Sequence, residues 1–300
     1  MGSIEKYIDQ LAREGVAPSG TTDNVVPTKT RVDATQHITS APDNFETTKL
    51  TAIKLDLQAL NAVGMLTPLE TRSAIAEEYR AIKRLLLRNT VGNHDTDGGR
   101  MNLIMVTSSM PGEGKSFTSL NLAMSIAMER DYTVLLVEAD VVKPAIGRML
   151  HMLEPEPGLV DYLASDHLQL ADLIQRTNVP KLSILRAGMT HPRSYELLAS
   201  QNMRRLVEEL SQRYSDRVVI FDSPPLLVSS DAVLLSTLVG QVVMVVEAGS
   251  TPQSSVKDAL RLLEKNKSVG IVLNKSRSGS GEVYGYEGYG SYGNPGSANK

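Results

Sequence analysis

Apolar residues in the last two-thirds of the chain fall into short continuous runs separated by longer amphipathic stretches. LIMVT (103–107), TVLLVE (133–138), LSILRA (182–187), RVVIFD (217–222), QVVMVVE (241–247) and VGIVLN (269–274) are the runs. Most are apolar at every position rather than at every second one, the pattern of strands covered on both faces of a parallel sheet. Between them, SFTSLNLAMSIAMER and PQSSVKDALRLLEKN repeat their apolar residues at helical spacing. Strand–helix alternation of this kind predicts an α/β fold with a doubly wound, mostly parallel sheet. In such sheets the ligand lies at the carboxyl ends of the strands.

Before residue 100 the pattern changes. Ile4, Tyr7, Ile8 and Leu11 make one narrow apolar stripe, predicting a short N-terminal helix over 1–14. The stretch 15–48, rich in Thr, Pro, Asp and Asn, holds too little apolar surface to fold alone and reads as a linker. The short helix therefore rests either on the globular domain or on a partner. A small apolar segment ends at Gly64, SAIAEEYRAIKRLLL (73–87) predicts a strong amphipathic helix, and VGNHDTDGGR breaks the chain. The organisation read from the sequence is a helical lead-in over 49–99, a main domain over 100–278, and a flexible C-terminal tail over 279–300.

Composition narrows the class. With 41% hydrophobic and 22% charged residues, the chain is of globular type. A net charge of −3 gives no general pull toward nucleic acid or anionic lipid, so no nucleic-acid partner is expected. The absence of cysteine excludes disulfides and thiolate chemistry. No apolar run approaches the roughly 20 residues of a membrane span, and the N-terminus lacks the layout of a secretory signal. Lys6 stands where a myristoylation signal needs Ser or Thr. The expectation is a cytoplasmic protein.

The most specific stretch is SSMPGEGKS (108–116), placed after one strand run and before a helical one. That context makes it a phosphate-binding loop. Met110, Pro111, Gly112, Glu113, Gly114, Lys115, Ser116 and Phe117 are its candidate nucleotide contacts. Gly112 and Gly114 let backbone N–H groups approach phosphate oxygens, and the helix N-terminus adds its positive dipole. Lys115 reaches the β- and γ-phosphates, and the Ser116 hydroxyl is a Mg²⁺ ligand. The general pattern begins with Gly seven residues before the final hydroxyl residue; here that residue is Ser109. Asp222, closing RVVIFD, is the candidate second metal ligand and, with Lys115, a candidate for catalysis. Glu138 and Asp140 close another strand run, and their spacing predicts side chains on one side of an extended segment. Asp140 is a candidate for metal and catalysis, Glu138 for catalysis. ATP and Mg²⁺ are the expected cofactors. His151, His167 and His191 have no metal-ligand spacing, and Asp231 reads as the cap of the helix beginning SSDAVLL.

From about Ile75 onward these segments resemble the bacterial tyrosine autokinases that regulate exopolysaccharide export. MPGEGKS is similar to the family's Walker A segment, VLLVEADVVKP to its second acidic motif, and VVIFDSPPLLVSSDA to its Walker B segment with a double proline. HPRSYELLAS and IVLNK resemble further family stretches; the latter implies that Asn274 contacts adenine. EEYRAIKRLLL resembles the helix that packs subunits into a ring, which implies oligomerisation roles for Glu78, Arg80 and Arg84. The wording is most similar to the exosortase-associated members. The resemblance implies a ring-like homo-oligomer and a separate membrane-embedded polysaccharide chain-length or co-polymerase protein as activator. It also implies an opposing protein-tyrosine phosphatase and a place at the inner face of the membrane through the activator. Two positions depart from the family's Asp-x-Asp-x-Arg: Glu138 replaces the first Asp and Val142 the Arg, which bears on rate more than on nucleotide binding.

Family members end in a tyrosine cluster that they phosphorylate, and this chain ends in GEVYGYEGYGSYGNPGSANK. Tyr284, Tyr286, Tyr289 and Tyr292 are four of its ten tyrosines. Gly and Ser around them allow each ring to be presented singly. The ten residues from Asn274 to Tyr284 span at most about 35 Å, enough to reach a neighbour's site, with reach in cis also open. Each phosphate adds about −1.5 to −2 charge, so four would drive tails apart. Two other readings compete. One is an ATPase switch of the partitioning or division-site type, in which Met110 would be a second lysine; the other is a non-catalytic module that binds ATP without transfer.

Overall fold

The computed structural model describes residues 52–92, 100–152, 154–165, 167–212 and 217–276. The expected N-terminal helix, the linker and the tyrosine cluster lie outside them.

Among the described residues the order is α1 (Leu57–Ala62), α2 (Ala74–Gly92), β1 (Leu103–Ser108), α3 (Lys115–Ala127), β2 (Thr133–Glu138), α4 (Ile146–Met149), α5 (Leu159–Ala164) and α6 (Leu170–Leu173). Then come β3 (Gln175–Arg176), β4 (Leu182–Leu185), α7 (Ser194–Leu198), α8 (Gln201–Gln212), β5 (Arg217–Asp222), α9 (Ser230–Leu238), β6 (Gln241–Glu247), α10 (Gln253–Arg261) and β7 (Ser268–Asn274). The strands form one sheet in the order β3-β4-β2-β5-β1-β6-β7. All neighbours are parallel except β3, which runs antiparallel to β4.

Continuous apolarity has the expected cause. Leu103, Met105, Leu135, Val137, Val219 and Phe221 face one core with α5, α8, α9 and α10. Their strand neighbours Ile104, Val106, Val134, Leu136, Val218 and Ile220 face a second core with α2 and α3. Both side-chain sets of each central strand are thus buried. The lead-in belongs to the second core: Leu55, Leu60, Leu66, Ala76, Tyr79 and Leu86 pack with Leu120, Leu122 and Ile126 of α3. Two buried bonds tie it down, Leu66 N–H to Asn121 Oδ1 at 2.6 Å and Lys83 Nζ to Ser125 O at 2.9 Å.

Two readings of the strands need correction. β3 was not expected; two residues carry no periodicity, and only its backbone pairing with Ser183 and Ile184 defines it. The run 182–187 stops being strand at Leu185, because the next carbonyls, of Arg186 and Ala187, turn to the N–H groups of Leu159 and Val160 at the start of α5. Gly158 makes room for this; a Cβ there would lie 2.3 Å from Arg186 O.

Gln241, 1% exposed, joins α2 to the sheet: its Nε2 donates to Leu86 O at 3.2 Å and Met101 O at 2.6 Å, and its Oε1 accepts from Asn89 at 2.9 Å. Gln241→Leu keeps the volume but strips these buried groups of partners. It should lower unfolding stability in urea by about 1–3 kcal/mol, with α2 losing amide-exchange protection first.

Candidate active site

β1 ends in the phosphate loop, and Gly112 and Gly114 carry its two left-handed turns, at φ 90° and 96°. Gly114 caps α3, whose first residues are Lys115 and Ser116. A side chain at Gly114 is excluded twice over, by its φ and because a Cβ would meet Asn274 Nδ2 at 2.0 Å. Asn274 donates that amide to Glu113 O at 2.9 Å, so the residue expected at adenine is here packed on the loop.

Glu113 holds the loop in a way that the sequence did not reveal. It is buried, and its Oε2 accepts from Met110 N–H at 2.8 Å while its Oε1 accepts from the Thr251 hydroxyl. Thr251 also accepts from Glu247 N–H at 3.1 Å. Lys275 closes the circuit, donating to Gly112 O at 2.8 Å and to Glu247 Oε2 at 2.9 Å. The loop backbone is thereby held from the carboxyl ends of β6 and β7. The three-residue spacing of Met110 and Glu113, a side chain returning to a backbone N–H, was the one local signal; the partners more than a hundred residues away gave none.

Asp222 closes β5, the strand between β1 and β2. Its Oδ1 accepts from Ser119 Oγ at 3.0 Å, and its Oδ2 is buried without a partner among the described residues. Burial pushes its carboxyl up to about 6; the Lys115 ammonium and the hydroxyls of Ser116 and Ser119 oppose that, and Asp140 reinforces it. Lys115 Nζ lies 2.6 Å from Asp140 Oδ2, and Asp140 Oδ1 accepts from Lys143 N–H at 3.1 Å. Lys115, Ser116, Asp140 and Asp222 are therefore one cluster.

Glu138 is placed elsewhere. Its Oε1 accepts from Ile146 N–H at 2.7 Å and Gly147 N–H at 3.4 Å, and its Oε2 from Ala187 N–H at 3.2 Å. It shares no partner with Asp140, so the expectation of two carboxylates acting on one side does not hold. β2 ends at Glu138, and the Ala139 and Asp140 N–H groups both turn to Asp222 O, which breaks the strand alternation. Asp231 is not a cap either; the Ser229 hydroxyl caps α9 by accepting from Ala232 N–H at 3.3 Å. On α2, Glu78 and Arg84 are exposed, while Arg80 pairs with Glu77 and donates to Thr71 O at 2.7 Å.

The cluster fits a magnesium nucleotide. The orphaned Asp222 oxygen lacks a positive partner, the loop's glycines leave a cradle, and Lys115 heads the helix at its positive end. No group of three or more acidic or His side chains among the described residues encloses a cation by itself. Mg²⁺ suits such a place, since it is held by one or two protein oxygens together with phosphates. Ser116 and Asp222 would hold it, with Asp140 beside them. Bound there, the ion would neutralise charge on transferring phosphate. A cavity of about 580 Å³ opens beyond Lys115, Ser116 and Asp140.

Fold and site together define a P-loop nucleotide-binding protein. The family model described as "ParA: NUBPL iron-transfer P-loop NTPase" matches residues 100–279. The 300 residues hold no cysteine, so they offer none of the thiolates on which iron–sulfur chemistry relies. The tyrosine-protein kinase YwqD of Bacillus subtilis is 32% identical over 230 residues, 76% of this chain and 91% of its own. The tyrosine-protein kinase CpsD of Streptococcus agalactiae is 30% identical over 67% of this chain and 86% of its own. Among solved structures, the kinase domain of the Escherichia coli tyrosine kinase ETK superposes with a TM-score of 0.60 at 29% identity, covering 72% of this chain and 82% of that one. The chimerical protein CapA2B2 gives 0.60 at 28%, covering 75% and 92%. The chain belongs to the bacterial tyrosine-protein kinases.

A carboxyl raised above its unfolded value favours the folded state only while protonated, so Asp222 withdraws stability as pH climbs from about 4 to about 6. Asp222→Asn removes that withdrawal. In nucleotide-free protein with EDTA, the variant should be more stable than the parent at pH 8 by about 1–3 kcal/mol, and the difference should vanish near pH 4 in urea titrations. A parent curve of the same shape as the variant's would refute the assignment.

Proposed function

We propose that this chain is an ATP- and Mg²⁺-dependent autokinase that phosphorylates Tyr284, Tyr286, Tyr289 and Tyr292 of its own C-terminal cluster, in trans within a homo-oligomer. The observation that carries the reading is the Lys115–Asp140 pair, at 2.6 Å, which lines an open cavity and lies beside the orphaned oxygen of the buried Asp222. Lys115 would hold the phosphates and Asp140 the acceptor's proton. The phenolic oxygen forms its bond to the γ-phosphorus as the bond to the β–γ bridging oxygen breaks, and the phenolic proton passes to the Asp140 carboxylate. With Glu138 engaged by three backbone N–H groups, Asp140 is the better placed acceptor.

The wider setting is part of the proposal. Exposed Glu78 and Arg84 on α2 support a subunit contact there, with Arg80 at its edge. Activation by a separate membrane-embedded co-polymerase, at the inner face of the membrane, belongs to the same reading. Regulation of exopolysaccharide synthesis or export, by the exosortase-associated branch, and reversal by a protein-tyrosine phosphatase complete it. Met110, at the place of a second loop lysine, sets the chain apart from the partitioning-type switches.

Incubation with ATP and Mg²⁺ followed by intact-mass and peptide mass spectrometry should find phosphate on the four tail tyrosines. Lys115→Met should lower incorporation at least about 100-fold, the scale of losing one charge-stabilising group. Bound nucleotide with an unmodified tail, even with the co-polymerase present, would sink the kinase reading in favour of a switch.

A further inference from the structure

The two edges of the sheet are built differently. At one end β3 is only two residues long, and the lead-in covers it: Ile53 N–H donates to Arg176 O at 2.7 Å and Ile53 O accepts from Asn178 N–H at 3.0 Å. At the other end β7 runs for seven residues, SVGIVLN, with no charge and no proline, and no described strand pairs with its outer edge. Proteins usually blunt such an edge, because its open N–H and C=O groups are a template for a further strand. Gly270 lies inside β7, is exposed, and a Cβ there would meet nothing within 4 Å. A glycine within a strand leaves bare backbone that another chain can approach closely. Val272 packs into the core with α2 and α3, while Val269 and Ile271 pack into the other core. Gly270 and Val272 therefore share one face of the sheet.

The tail starts at this edge, since β7 ends at Asn274. Residues 275–281, KSRSGSG, have the composition of a loop. Beyond them Tyr284 and Tyr286 are separated by one glycine, so in a strand both rings would stand on one face. We infer that residues 282–288 of the chain's own tail return along β7 as an antiparallel strand, with Tyr286 over Gly270 and Tyr284 beside Val272. In that register 275–281 is the connecting loop, and the parity that sets Tyr286 at Gly270 also sets Tyr284 at Val272. A ring over an edge glycine covers the backbone that the missing side chain leaves bare. An aromatic residue beside a β-branched one is a favourable cross-strand pair. Tyr289 and Tyr292 fall beyond Ser268 and stay unpaired. The pairing stands apart from the kinase reading above. On that reading it withholds Tyr284 and Tyr286 from transfer until the strand is released, which leaves Tyr289 and Tyr292 as the first acceptors.

The chain holds no cysteine, which makes a direct test clean. The full-length protein, treated with tyrosine phosphatase and kept nucleotide-free in EDTA, carries Gly270→Cys with one further change: Gly285→Cys, Tyr286→Cys or Glu287→Cys. Disulfide closure in a glutathione buffer is followed by intact mass. Tyr286→Cys should close about tenfold faster than either neighbour, because opposed residues bring their Cβ atoms to about 4.5–5.5 Å while the neighbours point to the other face. Similar rates at all three positions, the behaviour of an unpaired tail, would overturn the proposal. Closure between two chains, seen as dimer mass and as dependence on concentration, would give the edge to a second copy and overturn the pairing within one chain. In the cysteine-free protein, amides of 268–274 should exchange about tenfold more slowly in the full-length chain than in one ending at Gly281. Tyr284→Ser with Tyr286→Ser should abolish that difference, and Tyr289→Ser with Tyr292→Ser should keep it. Equal exchange in the full-length and shortened chains would equally overturn the strand. None of these readouts requires phosphoryl transfer, so failure of the kinase reading would leave them unchanged.

Discussion

The buried carboxylate of Asp222 is the group around which the other parts of the site are arranged. It closes the central strand β5, so it sits between the strand that feeds the phosphate loop and the strand that feeds Asp140. Ser119 satisfies one of its oxygens and nothing described satisfies the other. A desolvated carboxylate in that condition destabilises the folded chain unless a cation comes to it. Lys115 answers at a distance while itself paired to Asp140. Two carboxylates and one ammonium thus leave the cluster short of positive charge, a deficit that a magnesium ion would offset.

Holding such a cluster open requires a rigid surround, and the fold supplies it from three directions. Helix α3 is buried along nearly its whole length, gripped between the sheet and α2. The phosphate loop is fixed by Glu113, Thr251, Asn274 and Lys275 rather than by ligand, so its backbone is shaped in advance of binding. Glu138 fastens the segment after β2 by capping α4 and holding Ala187, which sets where Asp140 can lie. A longer Glu in place of Asp is long enough to reach those amides, so the substitution that looked like a change in catalysis is equally a change in scaffolding.

Much of the fold was legible because burial on both faces leaves a signal no solvent-facing strand produces; all six apolar runs hold a strand, the one at 182–187 only as far as Leu185. The loop and Asp222 were legible because their chemistry is local, a spacing of glycines before a lysine or an acid at the end of a run. What was hidden depends on partners far along the chain. The two-residue β3 exists only through β4, Glu113 takes its meaning from Thr251, and Asn274 turns toward the loop because Gly114 leaves it space. Glu138 was misplaced for a different reason: alternation was carried one step past the end of the strand, where the backbone had already turned to Asp222 O.

Lys275 directly follows the last strand, in a left-handed turn at φ 56°, and its ammonium bridges Gly112 O and Glu247. The remaining chain leaves from one residue beyond it. Mechanically, that makes a single half-exposed side chain the load path between whatever grips the C-terminal segment and the floor of the phosphate cradle. Tension applied to the end of the chain would be felt first at a lysine bond, which yields to salt and small forces, and only afterwards at the sheet.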